Sequence, residues 1–409
     1  MKFEVDIARD GNQTLTVDGI HIYSKYKPMD HVESFIEKEI NHGAEGYLLL
    51  GLGLGYHLQS IVKKVKSKKI YVLCVDKQEQ EIFIQSTISQ DILTLPNVHI
   101  IYDPKEININ KNFQIIIPNA WLQVLNKSNP LYNFLADIKI KQESYSNQKK
   151  LLDENFSNNI RLNDKNLKHY LSETKRDNKI ACLVSSGPSL NETKTWIKNV
   201  REQLYILCVG SALKVLLKEG IKPDAVIISD PKKNIIQQLE GTNFDGVLFY
   251  LSTANYEATS NYSYTRYILF QSGFKKAEEI AKQNNIPLVE TGGSVATTGF
   301  STLKFLGFDT IVLFGQDLGF KENKTHATFS TSGRTVHKNE NLLKVLSNNG
   351  EEIYTTPNLH SYFMWFNTKM KDSTNLKVFN TALNGAKIHK VEFINQDKFY
   401  KIVYSYKSE

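Results

Sequence analysis

Short apolar runs alternate with stretches of helical spacing over most of the chain, and the alternation comes in two blocks. In the first, Tyr47-Leu48-Leu49-Leu50 is followed by Gly51-Leu52-Gly53-Leu54-Gly55, a helical pattern through Ile61, and the run Ile70 to Val75 ending on Asp76. That order reads as one strand–helix–strand unit. The runs Val98 to Tyr102 and Phe113 to Ile117 extend it, so residues 1–127 are expected to form a small Rossmann-like α/β domain. Residues 128–178 are polar, with spaced leucines and a single proline, and predict a helical connector.

The second block opens with the apolar run Lys179 to Val184 and the turn Ser185-Ser186-Gly187-Pro188. A helix is expected from Ser189, where Ser189 and Glu192 have the spacing of a capping box. Strands follow at Leu204 to Val209, Ala225 to Ser229, Val247 to Leu251, Tyr267 to Phe270, Ile286 to Val289 and Thr310 to Phe314. Helices are expected from Ala212 to Glu219, closed by Gly220, and from Val295 to Phe305. Strands alternating with helices predict a mostly parallel sheet covered on both faces, an α/β domain over 179–395 followed by a tail at 396–409.

Composition narrows the classes of function. The chain has 409 residues, 41% of them hydrophobic, which suits globular domains. The longest apolar run, around Tyr47 to Tyr56, carries three glycines and is far short of the ~20 residues of a membrane span. The N-terminus places Glu4 and Asp6 where a secretory signal would carry basic residues, so a cytoplasmic protein is expected. Cys74, Cys182 and Cys208 each fall inside an apolar run and read as reduced core residues. A net charge of +7 suits an anionic ligand, but the basic residues are scattered, and nucleic acid is not implied.

In parallel sheets ligands bind beyond the carboxyl ends of the strands. The residues there are small and polar: Ser186-Gly187-Pro188-Ser189, Gly210-Ser211, Ser229-Asp230, Thr291-Gly292-Gly293-Ser294 and Gly315-Gln316-Asp317. Such turns let backbone approach a ligand, and three open into helices whose N-termini favour phosphate. Asp230 and Asp317 end strands, where a carboxylate either accepts hydroxyls of a ligand or caps the next helix. His326 follows in a polar segment and is either a general base or a solvated loop residue. There is no Asp-x-Asp, no His-Glu-x-x-His and no close histidine pair, so no metal site is expected. Gly51 to Gly55 with Asp76 has the spacing of a nucleotide site, yet Leu49 and Leu50 stand where methyltransferases place an acid. The alternative is a domain that packs on the core or helps to recognise an acceptor.

Ser186-Gly187-Pro188-Ser189-Leu190, Gly210-Ser211-Ala212-Leu213, Gly220-Ile221-Lys222-Pro223-Asp224, Gly292 to Thr297 and Gly315-Gln316-Asp317-Leu318, in this order, resemble the central domain of the motility accessory factor (Maf) family. The resemblance continues through Asn349-Gly350-Glu351, the region of Trp365, Asn380-Thr381-Ala382 and Gly385 to Ile388, and Gly51 to Gly55 resembles the domain that precedes that core. It implies a glycosyltransferase that moves a nonulosonic acid, such as pseudaminic or legionaminic acid, from its CMP-activated form to Ser or Thr of flagellin, or to a glycan hydroxyl. The core is also similar to bacterial sialyltransferases and to archaeal 6-hydroxymethylpterin pyrophosphokinases. On this reading no cofactor is required beyond the CMP-sugar donor. Phosphate and ribose would lie along Ser186 to Ser189, Gly210-Ser211 and Gly292 to Ser294. Asp230, Gln316 and Asp317 would orient hydroxyls, and His326 would be the base. Two alternatives stay open: an ATP- and Mg²⁺-dependent pterin pyrophosphokinase, and a non-catalytic nucleotide-binding module of surface-glycan or flagellar assembly.

Overall fold

The computed structural model describes all residues except 66, 87, 89–90, 93, 104–112, 126–129, 175–179, 321–325, 333–341, 372, 374–375 and 407–409. The side chains of 130, 133–134, 136–138 and 140–147 are also left undescribed. The chain divides into two compact units, Met1–Glu143 and Ser144–Glu409, with the division inside the helix Pro130–Arg161.

The first unit begins with an antiparallel meander, β1 (Phe3–Ile7), β2 (Gln13–Val17) and β3 (Ile20–His21), which the apolar pattern did not announce. The outer strand β1 is mostly exposed and alternates acids with apolar residues, as suits an edge. A parallel sheet follows, with β4 (Gly46–Leu50), β5 (Lys69–Leu73), β6 (Val98–Ile101) and β7 (Phe113–Ile116) in the order β6-β5-β4-β7. All of β4 is buried, as expected of a central strand covered on both faces.

The second unit carries β8 (Lys165–Asn166), β9 (Ile180–Val184), β10 (Leu204–Val209), β11 (Ala225–Ile228), β12 (Val247–Leu251), β13 (Arg266–Gln271), β14 (Leu288–Val289) and β15 (Thr310–Phe314). The hairpin strands β16 (Leu343–Leu346) and β17 (Glu352–Thr355), then β18 (Lys377–Asn380) and β19 (Glu392–Phe393), complete it. Strand order in the main sheet is β14-β13-β12-β11-β10-β9-β15-β18-β19, all pairs parallel, with β8 also on β13. The chain runs outward from β9 to β14 and then crosses back to place β15 on the other side of β9. Strand order therefore reverses between β9 and β15, the position at which open parallel sheets bind ligands at their carboxyl edge. The crossover is the helix Val295–Phe305, with the bounds expected from the sequence. Its Gly299 packs against Leu183 of β9, Leu207 of β10 and Ile227 of β11.

Three features depart from the sequence expectation. The capping box at Ser189 and Glu192 does not form: Ser189 has helical backbone angles and makes no side-chain cap bond. The capping box that does form joins Ser294 and Thr297. Residues expected as a tail contain the helix Gln396–Ser405, whose Phe399 and Val403 are buried in the core, Phe399 against Trp196 and Phe314. Apolar spacing in so short a segment acquires meaning only through the surface it meets.

Candidate functional site

The turn after β9 and the turn after β15 are locked together. Ser185 N–H donates to Phe314 O and Gly187 N–H to Gly315 O, both at 2.8 Å, and Ser185 Oγ donates to Gln316 Oε1 at 2.7 Å. A Cβ at Gly187 would overlap the Asp317 carboxylate and Gly315 O, and one at Gly315 (φ +62°) would overlap Ser185 O. Two glycines are needed because two backbones touch.

Asp317 lies at the centre of this contact. Its carboxylate accepts from Ser189 Oγ at 2.8 Å and from Ser189 N–H at 3.2 Å, while Asn380 Nδ2 donates to Gln316 O at 3.3 Å and Ala386 N–H to Asp317 O at 2.7 Å. Burial pushes its pKa up to about 7, against the lowering effect of the Ser189 bonds. Asp317 is thus the carboxylate that stabilises the start of the helix Leu190–Asn199, in place of the expected capping box. It holds the turn rather than facing solvent.

Further along the edge, Ser186 Oγ and Ser211 Oγ share a hydrogen bond of 2.8 Å, joining the ends of β9 and β10. Ala327 N–H donates to Ser186 O at 2.8 Å, which places His326, the preceding residue, next to the turn that follows β9. Asp230, half-buried at the end of β11, receives Lys232 N–H at 2.9 Å in a local turn. Gly292, Gly293 and Ser294 lie at the N-terminus of the crossover helix. Trp365 and Tyr362, from the helix Pro357–Lys371, fill the space above the two glycines, and Lys369 pairs with Glu290 at 2.6 Å. The structure so joins Ser186, Gly187, Pro188, Ser189, Gln316 and Asp317 in one cluster with Gly210 and Ser211 beside it. Asp230 and Gly292–Ser294 lie at other strand ends.

Sequence reasoning missed the supports. Asn155 and Asn159, one turn apart on the helix Pro130–Arg161, are buried. Asn155 Nδ2 donates to Pro231 O at 3.0 Å, and Asn159 Nδ2 donates to Ser252 O and Ala254 O at 3.1 and 2.8 Å. They satisfy carbonyls of the loops after β11 and β12. Their i, i+4 spacing was the available signal, hidden in an Asn-rich stretch. Gln238 was missed as well; it lies against Gly210.

The glycine turn of the first unit is a different object. Glu79 is fully buried and its carboxylate accepts from Leu52 N–H (2.5 Å), Gly53 N–H (3.2 Å), Val75 N–H (2.5 Å) and Asp76 N–H (3.0 Å). Trp121 packs on Gly51 and Gly53, the Tyr23 hydroxyl on Gly53 and Phe83 on Gly55. The space that a nucleotide would enter beside these glycines is filled by the unit's own side chains.

Among the described residues no cluster of His, Cys, Asp and Glu is placed to hold a metal ion, and no helix is long and apolar enough to cross a membrane. Cys74, Cys182 and Cys208 are free and buried.

Comparison with known proteins gives three findings. Residues 4–92 match the family described as the glycosyltransferase Maf N-terminal domain, and residues 154–323 match the family described as 6-hydroxymethylpterin diphosphokinase MptE-like. No curated protein matches the chain. Among solved structures, a Maf glycosyltransferase from Magnetospirillum magneticum AMB-1 shares the fold at a TM-score of 0.51 and 15% identity, over 99% of this chain and 74% of that one. A Maf N-terminal domain match followed by an MptE-like match, on a fold shared with a solved Maf glycosyltransferase, makes the chain similar to the Maf glycosyltransferases.

Proposed function

We propose that the chain transfers a nonulosonic acid from a CMP-activated donor to a Ser or Thr hydroxyl of flagellin, or to a hydroxyl of another surface protein or glycan. The observation that carries this reading is the cluster at the reversal of strand order, where Ser186, Gly187 and Ser189 after β9 meet Gln316 and Asp317 after β15. Reversals of strand order of this kind accommodate nucleotides because small residues admit the phosphate and ribose to backbone.

In the proposed reaction the acceptor oxygen bonds to the anomeric carbon of the sugar while the bond from that carbon to the CMP phosphate oxygen breaks. CMP leaves with the electron pair, and the hydroxyl proton passes to His326. Fixed N–H and O–H donors along the edge stabilise the phosphate charge as it grows. Asp230 and Gln316 orient hydroxyls of sugar and ribose. Asp317 acts one step removed, by holding Ser189 and the Gly187 turn in place. No metal or other cofactor takes part in this scheme, and it places the reaction in the cytoplasm, where CMP-sugars are at hand.

A second reading is favoured by the MptE-like match over residues 154–323, namely transfer of a pyrophosphoryl group from ATP to a pterin. That chemistry needs Mg²⁺ to neutralise the phosphates. Thermal-shift and calorimetric titrations with CMP and with ATP, each with and without Mg²⁺, separate the two. CMP stabilising without metal, followed by His326→Ala losing transfer but not CMP binding, is the expected result. Stabilisation by ATP with Mg²⁺ and none by CMP would replace sugar transfer with the second reading.

A further inference from the structure

Of the three site-edge helices, two have their first turn satisfied by a side chain: Leu190–Asn199 by Asp317 and Val295–Phe305 by Ser294. The third, Gly210–Lys218, follows Val209, and no side chain caps it. The first-turn N–H groups and positive dipole end of a helix do not alone define a site. A second, independent observation lies directly against them. Gln238 is 9% exposed, and its Oε1 has no hydrogen-bond partner among the described residues. That amide end lies so close to Gly210 that a Cβ there would overlap it. Its other end, Nε2, meets Ser332 Oγ at 3.3 Å.

A buried amide with one end unbonded is costly unless a ligand satisfies it. The oxygen and nitrogen of a glutamine amide exchange places by a half-turn of its last torsion. After that turn Oε1 accepts from the Ser332 hydroxyl and Nε2 donates toward Gly210. The neighbouring Ser186–Ser211 pair uses only one of its two hydroxyl protons in its mutual bond, which leaves the other to donate. Thr331, beside Ser332, also has a buried hydroxyl without a partner among the described residues.

We propose that Gln238, Ser186, Ser211 and the N-terminus of the helix Gly210–Lys218 form an oxyanion site that takes a carboxylate or phosphate group of the ligand. The inference rests on the reading of this edge as the donor site and deepens it. A CMP-nonulosonate carries two anionic groups, the phosphate and the sugar carboxylate, and needs two places for them.

The test uses the full chain as wild type, Gln238→Ala and Gln238→Glu, titrated by calorimetry with CMP, CMP-N-acetylneuraminate and inorganic phosphate. Thermal unfolding of each variant verifies that it is folded. A tenfold or greater loss for Gln238→Ala, and a larger one for Gln238→Glu, is expected for at least one ligand. A loss confined to CMP-N-acetylneuraminate identifies the carboxylate as the occupant, and an equal loss for CMP identifies the phosphate. Unchanged affinities in both folded variants overturn the site. If wild type binds neither CMP compound but binds phosphate in a manner dependent on Gln238, the donor reading fails and the oxyanion site stands.

Discussion

Both units place a glycine-bearing turn after a parallel strand, and both put a buried carboxylate against it, yet the two turns do opposite things. In the first unit Glu79 gathers four backbone N–H groups, and Trp121, Tyr23 and Phe83 occupy the space beside the glycines. In the second, the Asp317 carboxylate binds Ser189, and the neighbouring turn is lined by serines and by a glutamine whose Oε1 has no hydrogen-bond partner among the described residues. Glycine in the first turn makes room for aromatic rings of the same chain; in the second it lets two backbone turns touch. A glycine pattern thus records close approach without saying what approaches.

The comparison breaks most sharply at Glu79. Glu79→Ala would strand four donors, two of them fully buried, at a cost of roughly 2 kcal/mol or more, and should unfold the first unit in a urea titration monitored by fluorescence. An intact transition would mean that the turn is open to water and available to a ligand after all. Gly187→Ala comes next, because its Cβ must displace the Asp317 carboxylate or Gly315 O. CMP affinity measured by calorimetry should fall by at least tenfold. Gly51→Ala should leave CMP affinity unchanged in whatever fraction remains folded.

Asp317→Asn sharpens the contrast through pH. Burial raises the folded pKa of Asp317 from 3.8 to about 7, so the folded state holds the proton more tightly than the unfolded chain does. Its contribution to stability is therefore least unfavourable below pH 3.8 and declines as pH climbs to about 7. Melting temperatures of the wild type should carry that downward slope between pH 4 and 7, and the Asn variant, which retains an acceptor for Ser189, should lose it. Parallel slopes would show that Asp317 is already ionised at low pH.

The smallest effects separate the real cap from the apparent one. Ser294→Ala removes a formed cap and should cost about 1 kcal/mol. Glu192→Ala removes an exposed carboxylate that makes no cap and should change stability by less than ~0.5 kcal/mol. Equal losses in a denaturant series would restore the capping box read from the sequence.

The strands β4, β9 to β13 and β15, and the crossover helix, were all legible in the sequence, because continuous apolar runs bounded by Gly and Ser have few other uses. So were the residues at the strand ends, since small polar residues after a buried strand mark its exit. Strand order was not legible, and neither was the meeting of Ser186-Gly187-Pro188-Ser189 with Gln316-Asp317 across more than a hundred residues. Ser189 illustrates why. Its spacing to Glu192 is local and predicts a cap, but the Asp317 carboxyl group arrives from β15 and takes both the N–H and the hydroxyl. Gln238, Asn155 and Asn159 are ordinary polar residues in sequence and become informative only when burial removes water as a partner. Local pattern, which depends on neighbours along the chain, determined the elements and the small-residue strand ends. Which carboxylate each turn would bind depended on desolvation and contact between distant segments, and only the tertiary structure decided that.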